Sequence, residues 1–352
     1  MRPKGGKDLN VLKAHDEGGI PNNKEIFDSF LVTNNKFSLY KNIVCSVSGG
    51  ADSDVMLDLF CRIDKSKVTF VFFNTGLEYQ ATKDHLKYLE QKYDIKIHVI
   101  GANQPIPITC KRAGQPFLSK QVSEWIERLQ RHNFKWEDKS FEELYEEYPK
   151  CKAALRWWCN EWGEDSKFNI SYNKGLKEFI IQNPPTFKIS PKCCKFAKKN
   201  PVHDYIDANN FDLNCYGVRK SEGGTRSTAY KNCFSNNAEK EKVDEYRPIF
   251  WYKDVTKRMY EQHFNIVHSK CYTEYGLKRT GCAGCPFGKE FEEELKIIEK
   301  HEPKLYKAVN NIFGESYEYT RKYRQFIKDN YNNEIKGQLR FDFLDRYYLK
   351  VI

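Results

Sequence analysis

The sequence predicts an α/β fold: a parallel twisted sheet flanked by helices, with an aromatic-rich insertion and a helical C-terminal region. Three observations predict it. Between residues 43 and 100, apolar runs alternate with amphipathic stretches as strand, helix, strand, helix, strand, the pattern of βαβ units and a parallel sheet. Five of the 6 tryptophans fall between Trp125 and Trp162, where that alternation breaks. Long polar stretches at helical spacing run from Glu290 to His301 and from Pro303 to Asn332.

Taken in order, residues 1–22 read as a loosely docked arm with Gly5-Gly6 and Gly18-Gly19, and Glu25–Asn35 as a helix. Ile43–Val47 is the first strand. Asp52–Ile63 is a helix whose apolar positions are Val55, Leu57, Leu59 and Phe60. Val68–Phe73 is a continuous apolar, β-branched and aromatic run, as a strand buried on both faces should be. Residues 79–92 form a helix with His85, Leu86 and Leu89 on one face, and Ile95–Ile100 forms the third strand. Residues 103–205 form an insertion, with helices at Ser119–His132 and around Trp157-Trp158-Cys159. It is read as a small aromatic core of its own, or as a lid whose aromatic and basic residues stack and clamp a nucleic acid strand. Asp212–Val218 is a further strand and Val255–Phe264 a further helix. The expected organisation is an N-terminal arm and helix over 1–35, a nucleotide-binding α/β domain over 36–289, and a helical extension over 290–352.

Composition narrows the function. The 352 residues hold 24 Phe and 22 Tyr within a 40% hydrophobic fraction, enough for a packed core rather than a disordered chain. The net charge of +10 comes from 58 Lys and Arg against 48 Asp and Glu; it favours anionic ligands such as nucleotides, though both signs are too dense for a basic stripe. Met1–Gly19 lacks the apolar centre of a signal peptide, and nothing approaches the ~20 apolar residues of a membrane span. The expected location is the cytoplasm, with no membrane partner. The 12 cysteines are then metal ligands, redox groups or small buried residues rather than disulfides.

The chemistry centres on Ser48-Gly49-Gly50-Ala51-Asp52-Ser53, between the first strand and its helix. Glycines let the backbone approach a ligand closely, and a helix start offers N–H groups and a positive dipole end to an anion. Asp52 is unexpected in a phosphate cradle unless a metal or the helix N–H groups offset its charge. Ligands of parallel sheets sit off the carboxyl ends of the strands, so Asn74-Thr75-Gly76 after the second strand faces the same pocket. The loop after the Asp212–Val218 strand carries Arg219, Lys220 and Arg226, an anion clamp. Cys282-x-x-Cys285 is half a metal site, and Cys193-Cys194 supplies natural partners, since adjacent cysteines do not readily pair with each other. A four-cysteine iron–sulfur cluster on Cys193, Cys194, Cys282 and Cys285 leads, with zinc as the alternative and a metal-free set as the third reading. Cys45, Cys61, Cys215 and Cys233 read as packing residues; Cys110, Cys151, Cys159 and Cys271 have no assignment.

These residues carry a family likeness. The Ser48–Ser53 loop resembles the PP-loop of the ATP pyrophosphatases. From about Ile43 to Phe287 the chain resembles the phosphoadenosine phosphosulfate (PAPS) reductase family of the adenine nucleotide α-hydrolase-like superfamily. The likeness includes Asn74-Thr75-Gly76, Gly217-Val218-Arg219 with Glu222 and Arg226, Arg247-Pro248-Ile249 with Trp251, Asp254-Val255, and Gly281-Cys282-x-x-Cys285. The cysteine pattern looks like that of adenylyl-sulfate reductases, where it implies a [4Fe-4S] cluster. The resemblance implies a HUP-type fold and an adenine nucleotide held by Ser48, Gly49, Gly50, Asp52, Ser53, Asn74, Thr75, Gly76, Arg219 and Arg226. It casts Ser48, Asp52, Ser53 and Arg219 in catalytic roles.

Two departures qualify it. The family's reductases attack with a cysteine in a C-terminal Glu-Cys-Gly segment. No cysteine follows Cys285 here, and the nearest look-alike, Glu274-Tyr275-Gly276-Leu277-Lys278, carries Tyr275 instead. A tyrosine does not replace a soft sulfur nucleophile. The full Ser-Gly-Gly-x-Asp-Ser loop also suits the β- and γ-phosphates of ATP. The implied function is cleavage of ATP at the α–β bond with Mg²⁺, releasing pyrophosphate, coupled to iron–sulfur-dependent sulfur transfer or nucleic-acid modification. A sulfur donor protein and a nucleic-acid acceptor are the partners that reading invites. The alternatives are a PAPS or adenylyl-sulfate reductase using a thiol from elsewhere, such as Cys271, and a non-catalytic nucleotide- or nucleic-acid-binding module.

Overall fold

A computed structural model describes Asp16 and residues 19–223, 229–237 and 243–348, with side chains as far as residue 331. Most of the N-terminal arm, and Arg226, lie outside the described residues. The chain divides into two compact units. The first takes the described residues up to Pro105 together with Phe196–Ala283 and Glu294–Leu305; the second takes Ile106–Lys195, Gly284–Glu293 and the chain from Tyr306 on.

The first unit is built on a six-stranded sheet in the order β3-β2-β1-β4-β6-β5. Helix α1 (Lys24–Leu39) starts at Asn23, whose side chain accepts the Ile26 N–H, and buries Ile26, Phe30 and Phe37. Strand β1 (Ile43–Ser46), helix α2 (Ala51–Asp64), strand β2 (Val68–Asn74), helix α3 (Gln80–Tyr93) and strand β3 (Ile97–Gly101) follow. Strand β1 lies between β2 and β4 (Leu213–Tyr216), parallel to both. The short β6 (Asp244–Tyr246) runs parallel to β4, and β5 (Phe234–Ser235) closes that edge antiparallel. Side chains alternate across β1. Ile43 and Cys45 join the large core with Phe37, Phe60 and Leu213, while Val44 packs with Val71, Ile206 and Phe211 on the other face. Both faces are covered, which is why the central strands are predominantly apolar. Strand β3 sits at the edge, and its Val99 is 60% exposed.

The chain leaves β1 toward β2 on one side and returns through β4 on the other. The carboxyl ends of β1 and β4 therefore flank a topological switch point, the usual crevice for a ligand in such sheets. Residues 48–53 follow β1 and residues 217–222 follow β4.

The second unit is helical. It contains α4 (Ile106–Ala113), α5 (Lys120–Arg131), α6 (Phe141–Glu147), α7 (Lys152–Trp158), α8 (Leu176–Gln182) and the single turn α9 (Lys192–Cys194). Helix α10 (Asn200–Ala208) returns the chain to the first unit, where α11 (Asp254–His263) and α12 (Lys270–Thr273) follow the last strand. Helix α13 spans Phe291–His301 and α14 spans Pro303–Tyr348. The second unit has its own core of Phe117, Ile126, Leu155, Trp157, Trp158 and Phe179, joined by Tyr319 and Tyr323 of α14. Rings of Phe117 and Tyr319 lie 4.8 Å apart, and those of Phe179 and Tyr323 lie 5.2 Å apart. The indole N–H of Trp158 donates to the Glu137 carbonyl at 2.8 Å, so its burial leaves no orphaned donor. Among the described residues no helix is long and apolar enough to cross a membrane.

Candidate active site

The loop after β1 is shaped by its glycines. Gly49 takes φ +65, and a Cβ there would lie 2.8 Å from the Thr82 Cγ2. Gly217, at the end of β4, comes so close that a Cβ would lie 2.9 Å from the Asp52 carbonyl oxygen. Ser53 is 3% exposed and its hydroxyl accepts the Ser48 N–H at 3.1 Å, tying the two ends of the turn together. The Gly50 N–H donates to the Ser48 hydroxyl at 3.3 Å, and the Ala51 N–H donates to the Tyr272 hydroxyl at 3.3 Å. Gly50 caps α2 with no side-chain acceptor, so the helix start rests on two neutral hydroxyls. An anionic oxygen is a stronger acceptor than either.

Asp52 is offset by cations. The Arg219 Nε donates to its carboxylate at 2.9 Å and the Lys257 ammonium lies 2.8 Å from it. Burial alone would push its pKa up; the neighbouring Glu222 carboxyl, the Lys257 ammonium and the Arg219 guanidinium together outweigh that and hold it at about 2. Arg219 is 8% exposed and braces the loops, with Nη1 donating to the Asp254 carboxylate at 2.7 Å and to the Ser221 hydroxyl at 3.0 Å. Asn74 closes a turn by accepting the Gly76 N–H at 2.9 Å, and Gly76 takes φ +84. Thr75 gives its N–H (3.1 Å) and hydroxyl (2.5 Å) to Glu78.

Beneath the loop lies a buried relay. Asp54 accepts from His85 Nε2 at 3.0 Å and meets His268 Nδ1 at 2.8 Å. His268 Nε2 lies 2.9 Å from Glu261, which lies 3.4 Å from Lys257, which reaches Asp52. Burial disfavours the His268 charge, but its bonds to Asp54 and Glu261 prevail and raise its pKa to about 9. A pKa raised on folding contributes stability that is whole below the unfolded value near 6.5 and is lost as pH rises through about 9. Unfolding free energy is therefore expected to fall by up to about 3 kcal/mol between those pH values. His268→Gln should flatten that slope; equal slopes in urea titrations of both proteins would contradict it.

The first unit thus brings together Ser48, Gly49, Gly50, Asp52, Ser53 and Arg219. Lys257 and His268 were missed by sequence reasoning. Their one signal is the spacing of Lys257 and Glu261, four residues apart on a helix, with Asp254 one turn earlier.

The cysteines divide between the units. Cys282 belongs to the first, where its thiol lies 3.7 Å from the Thr75 hydroxyl; burial raises its pKa and the Lys198 ammonium opposes the rise. Cys193, Cys194 and Cys285 belong to the second. Lys192 pairs with Glu127 rather than standing free beside a thiol. Among the described residues, no three Cys, His, Asp or Glu side chains converge on a point where a single metal ion would sit. Cys271 is 0% exposed, and the Tyr275 hydroxyl donates to Glu302 at 3.2 Å.

Residues 42–154 match the phosphoadenosine phosphosulfate reductase domain. An uncharacterized protein of Methanocaldococcus jannaschii is 25% identical over 309 residues, 87% of this chain and 48% of that protein. The chain spans about half the length of that curated relative. Among solved structures, the phosphoadenylyl-sulfate (PAPS) reductase of Candida auris, a phosphate complex, aligns with a TM-score of 0.40 and 12% identity, covering 80% of this chain and 96% of its own. The U34-tRNA thiolase NcsA of Methanococcus maripaludis, with its [4Fe-4S] cluster, aligns with a TM-score of 0.35 and 12% identity, covering 86% of this chain and 79% of its own.

Proposed function

Residues 42–154 belong to the phosphoadenosine phosphosulfate reductase family, and from that premise we propose an enzyme that binds ATP at residues 48–53 and opens it between the α- and β-phosphates. An acceptor's oxygen, or water where no acceptor is bound, attacks the α-phosphorus as pyrophosphate leaves, giving an adenylylated acceptor or AMP, and the activated group serves sulfur transfer. The observation that carries this reading is Asp52. Its negative charge stands inside an anion cradle and is cancelled by Arg219 and Lys257, so the loop presents the amides of Gly50 and Ala51 to phosphate without repelling it. Ser48 and Ser53 hold the turn, and Arg219 fixes the loop after β4 against it. Bound Mg²⁺ would supply positive charge to offset that of the phosphates. Arg219 and Lys257 both meet Asp52 at the same oxygen, Oδ1.

An iron–sulfur centre would supply a soft site for sulfur. Cys193, Cys194, Cys282 and Cys285 are the thiols whose pattern would suit it. Of the thiols a reductase reading could use, Cys271 is 0% exposed, and the Tyr275 of the look-alike segment donates its hydroxyl to Glu302.

The test is a pair of turnovers on anaerobically purified protein. Pyrophosphate release from ATP, with no sulfite from PAPS or adenylyl sulfate in the presence of a dithiol, is expected. Sulfite release without pyrophosphate would establish the reductase reading, and neither product would leave a binding module.

A further inference from the structure

The amides that start α2 already have an oxygen in front of them. The Tyr272 hydroxyl, carried by α12, accepts the Ala51 N–H at 3.3 Å. The same oxygen accepts the Thr280 N–H at 3.2 Å and lies 3.1 Å from the Thr280 hydroxyl. A phenol has one proton and two acceptor sites. The two N–H groups take the acceptor sites, so the proton goes to the Thr280 oxygen. Three groups from two loops thus meet at one neutral oxygen.

The surroundings hold that meeting point in place. A Cβ on Gly50 would lie 3.3 Å from the Tyr272 hydroxyl and 3.3 Å from the Thr280 hydroxyl, so the nucleotide loop passes directly beside both. The backbone bearing the two side chains is fixed by bonds of its own. Ser269 accepts the Cys271 N–H at 3.3 Å on its hydroxyl and the Tyr272 N–H at 2.8 Å on its carbonyl. The Leu277 N–H returns to the Cys271 carbonyl at 2.9 Å, and the Ala283 N–H donates to the Leu77 carbonyl at 3.0 Å. The Tyr272 and Thr280 residues are only half-buried, so the phenol can turn away without opening a core.

We propose that the Tyr272 hydroxyl stands in for a phosphate oxygen of the nucleotide: it caps the empty site and gives way when ATP binds, leaving the Ala51 N–H and both the N–H and the hydroxyl of Thr280 to the phosphate. The inference rests on the ATP reading proposed above, and adds Thr280 as a binding residue and Tyr272 as its competitor. An oxygen that accepts from the Ala51 N–H lies about 2.9 Å from that nitrogen, and the phenol oxygen fills that position. Two oxygens do not share it. The anion prevails, because a charged acceptor makes a hydrogen bond roughly twice as strong as a neutral one. The Thr280 hydroxyl accepts while Tyr272 is in place and rotates to donate once it leaves.

A bond that only supports the fold has the same consequence whichever partner is removed. A displaced stand-in gives opposite signs, and calorimetric titration of the full chain with a non-hydrolysable ATP analogue reads them. Tyr272→Phe keeps the ring and removes the competing oxygen, so it should bind about two- to tenfold more tightly than wild type. Thr280→Val and Thr280→Ala remove a donor to a charged group, so each should bind about tenfold more weakly, whereas Thr280→Ser should bind like wild type. Unchanged or weaker binding in Tyr272→Phe, or full affinity in either Thr280→Val or Thr280→Ala, overturns the inference while leaving the loop a nucleotide site. A wild type that does not bind the analogue overturns the ATP reading itself.

Discussion

Gly49→Val will abolish ATP binding and destabilise the first unit by about 2–4 kcal/mol. Two separate costs combine. A β-branched residue at φ +65 is strained wherever it sits, and the new Cβ meets the Thr82 methyl at 2.8 Å. Thr82 is 2% exposed and cannot swing into solvent. The loop must then shift, carrying the Gly50 and Ala51 amides out of register with a phosphate. Gly49→Ala in a Thr82→Ser background separates the two costs, since it removes the methyl but keeps the dihedral strain. Calorimetric titration with a non-hydrolysable ATP analogue measures the binding and urea unfolding the stability. Wild-type affinity in Gly49→Val would mean that the turn does not hold the phosphates.

Lys257→Met will weaken ATP binding by about 10- to 100-fold, in line with the few kcal/mol lost when one partner of a buried ion pair is removed. The substitution keeps the aliphatic stem but leaves the Asp52 charge, 2.8 Å away, only partly cancelled. A half-compensated carboxylate then repels the phosphate it adjoins. Glu261 loses the same partner at 3.4 Å, so stability falls too. The diagnostic variant is Asp52→Asn combined with Lys257→Met, because removing the charge should recover most of the affinity. An unchanged affinity in Lys257→Met, or no recovery in the double variant, would refute the role assigned to this pair.

How far the fold was legible follows from burial. The strands at 43–46 and 68–74 are covered on both faces over their central residues, so their sequences are predominantly apolar and stood out. Strands β5 and β6 were not legible. Phe234-Ser235 and Asp244-Glu245-Tyr246 are short, mostly polar and near a sheet edge, and the Arg247 side chain bonds to both. That arginine is 0% exposed and reaches Glu245, Tyr216 and Ser235, partners a one-dimensional pattern does not reveal. The aromatic core of the second unit was visible as a tryptophan cluster, but its partners Tyr319 and Tyr323 come from a distant helix.

The site divides in the same way. Residues 48–53 and Arg219 announce themselves because glycine turns and arginine loops are local chemistry. The puzzle of Asp52 was also local, whereas its answer, Lys257, lies some 200 residues along the chain and carries no motif. His268 became visible only once Asp54 and Glu261 were placed on either side of it.

The most direct measurement is the identity of the nucleotide product. Anaerobic, iron-reconstituted protein is incubated with ATP and Mg²⁺, and the nucleotides and phosphates are separated. AMP and pyrophosphate in equal amounts, abolished by Gly49→Val, is the predicted result. ADP with inorganic phosphate, or unreacted ATP beside sulfite released from a sulfonucleotide, would contradict it.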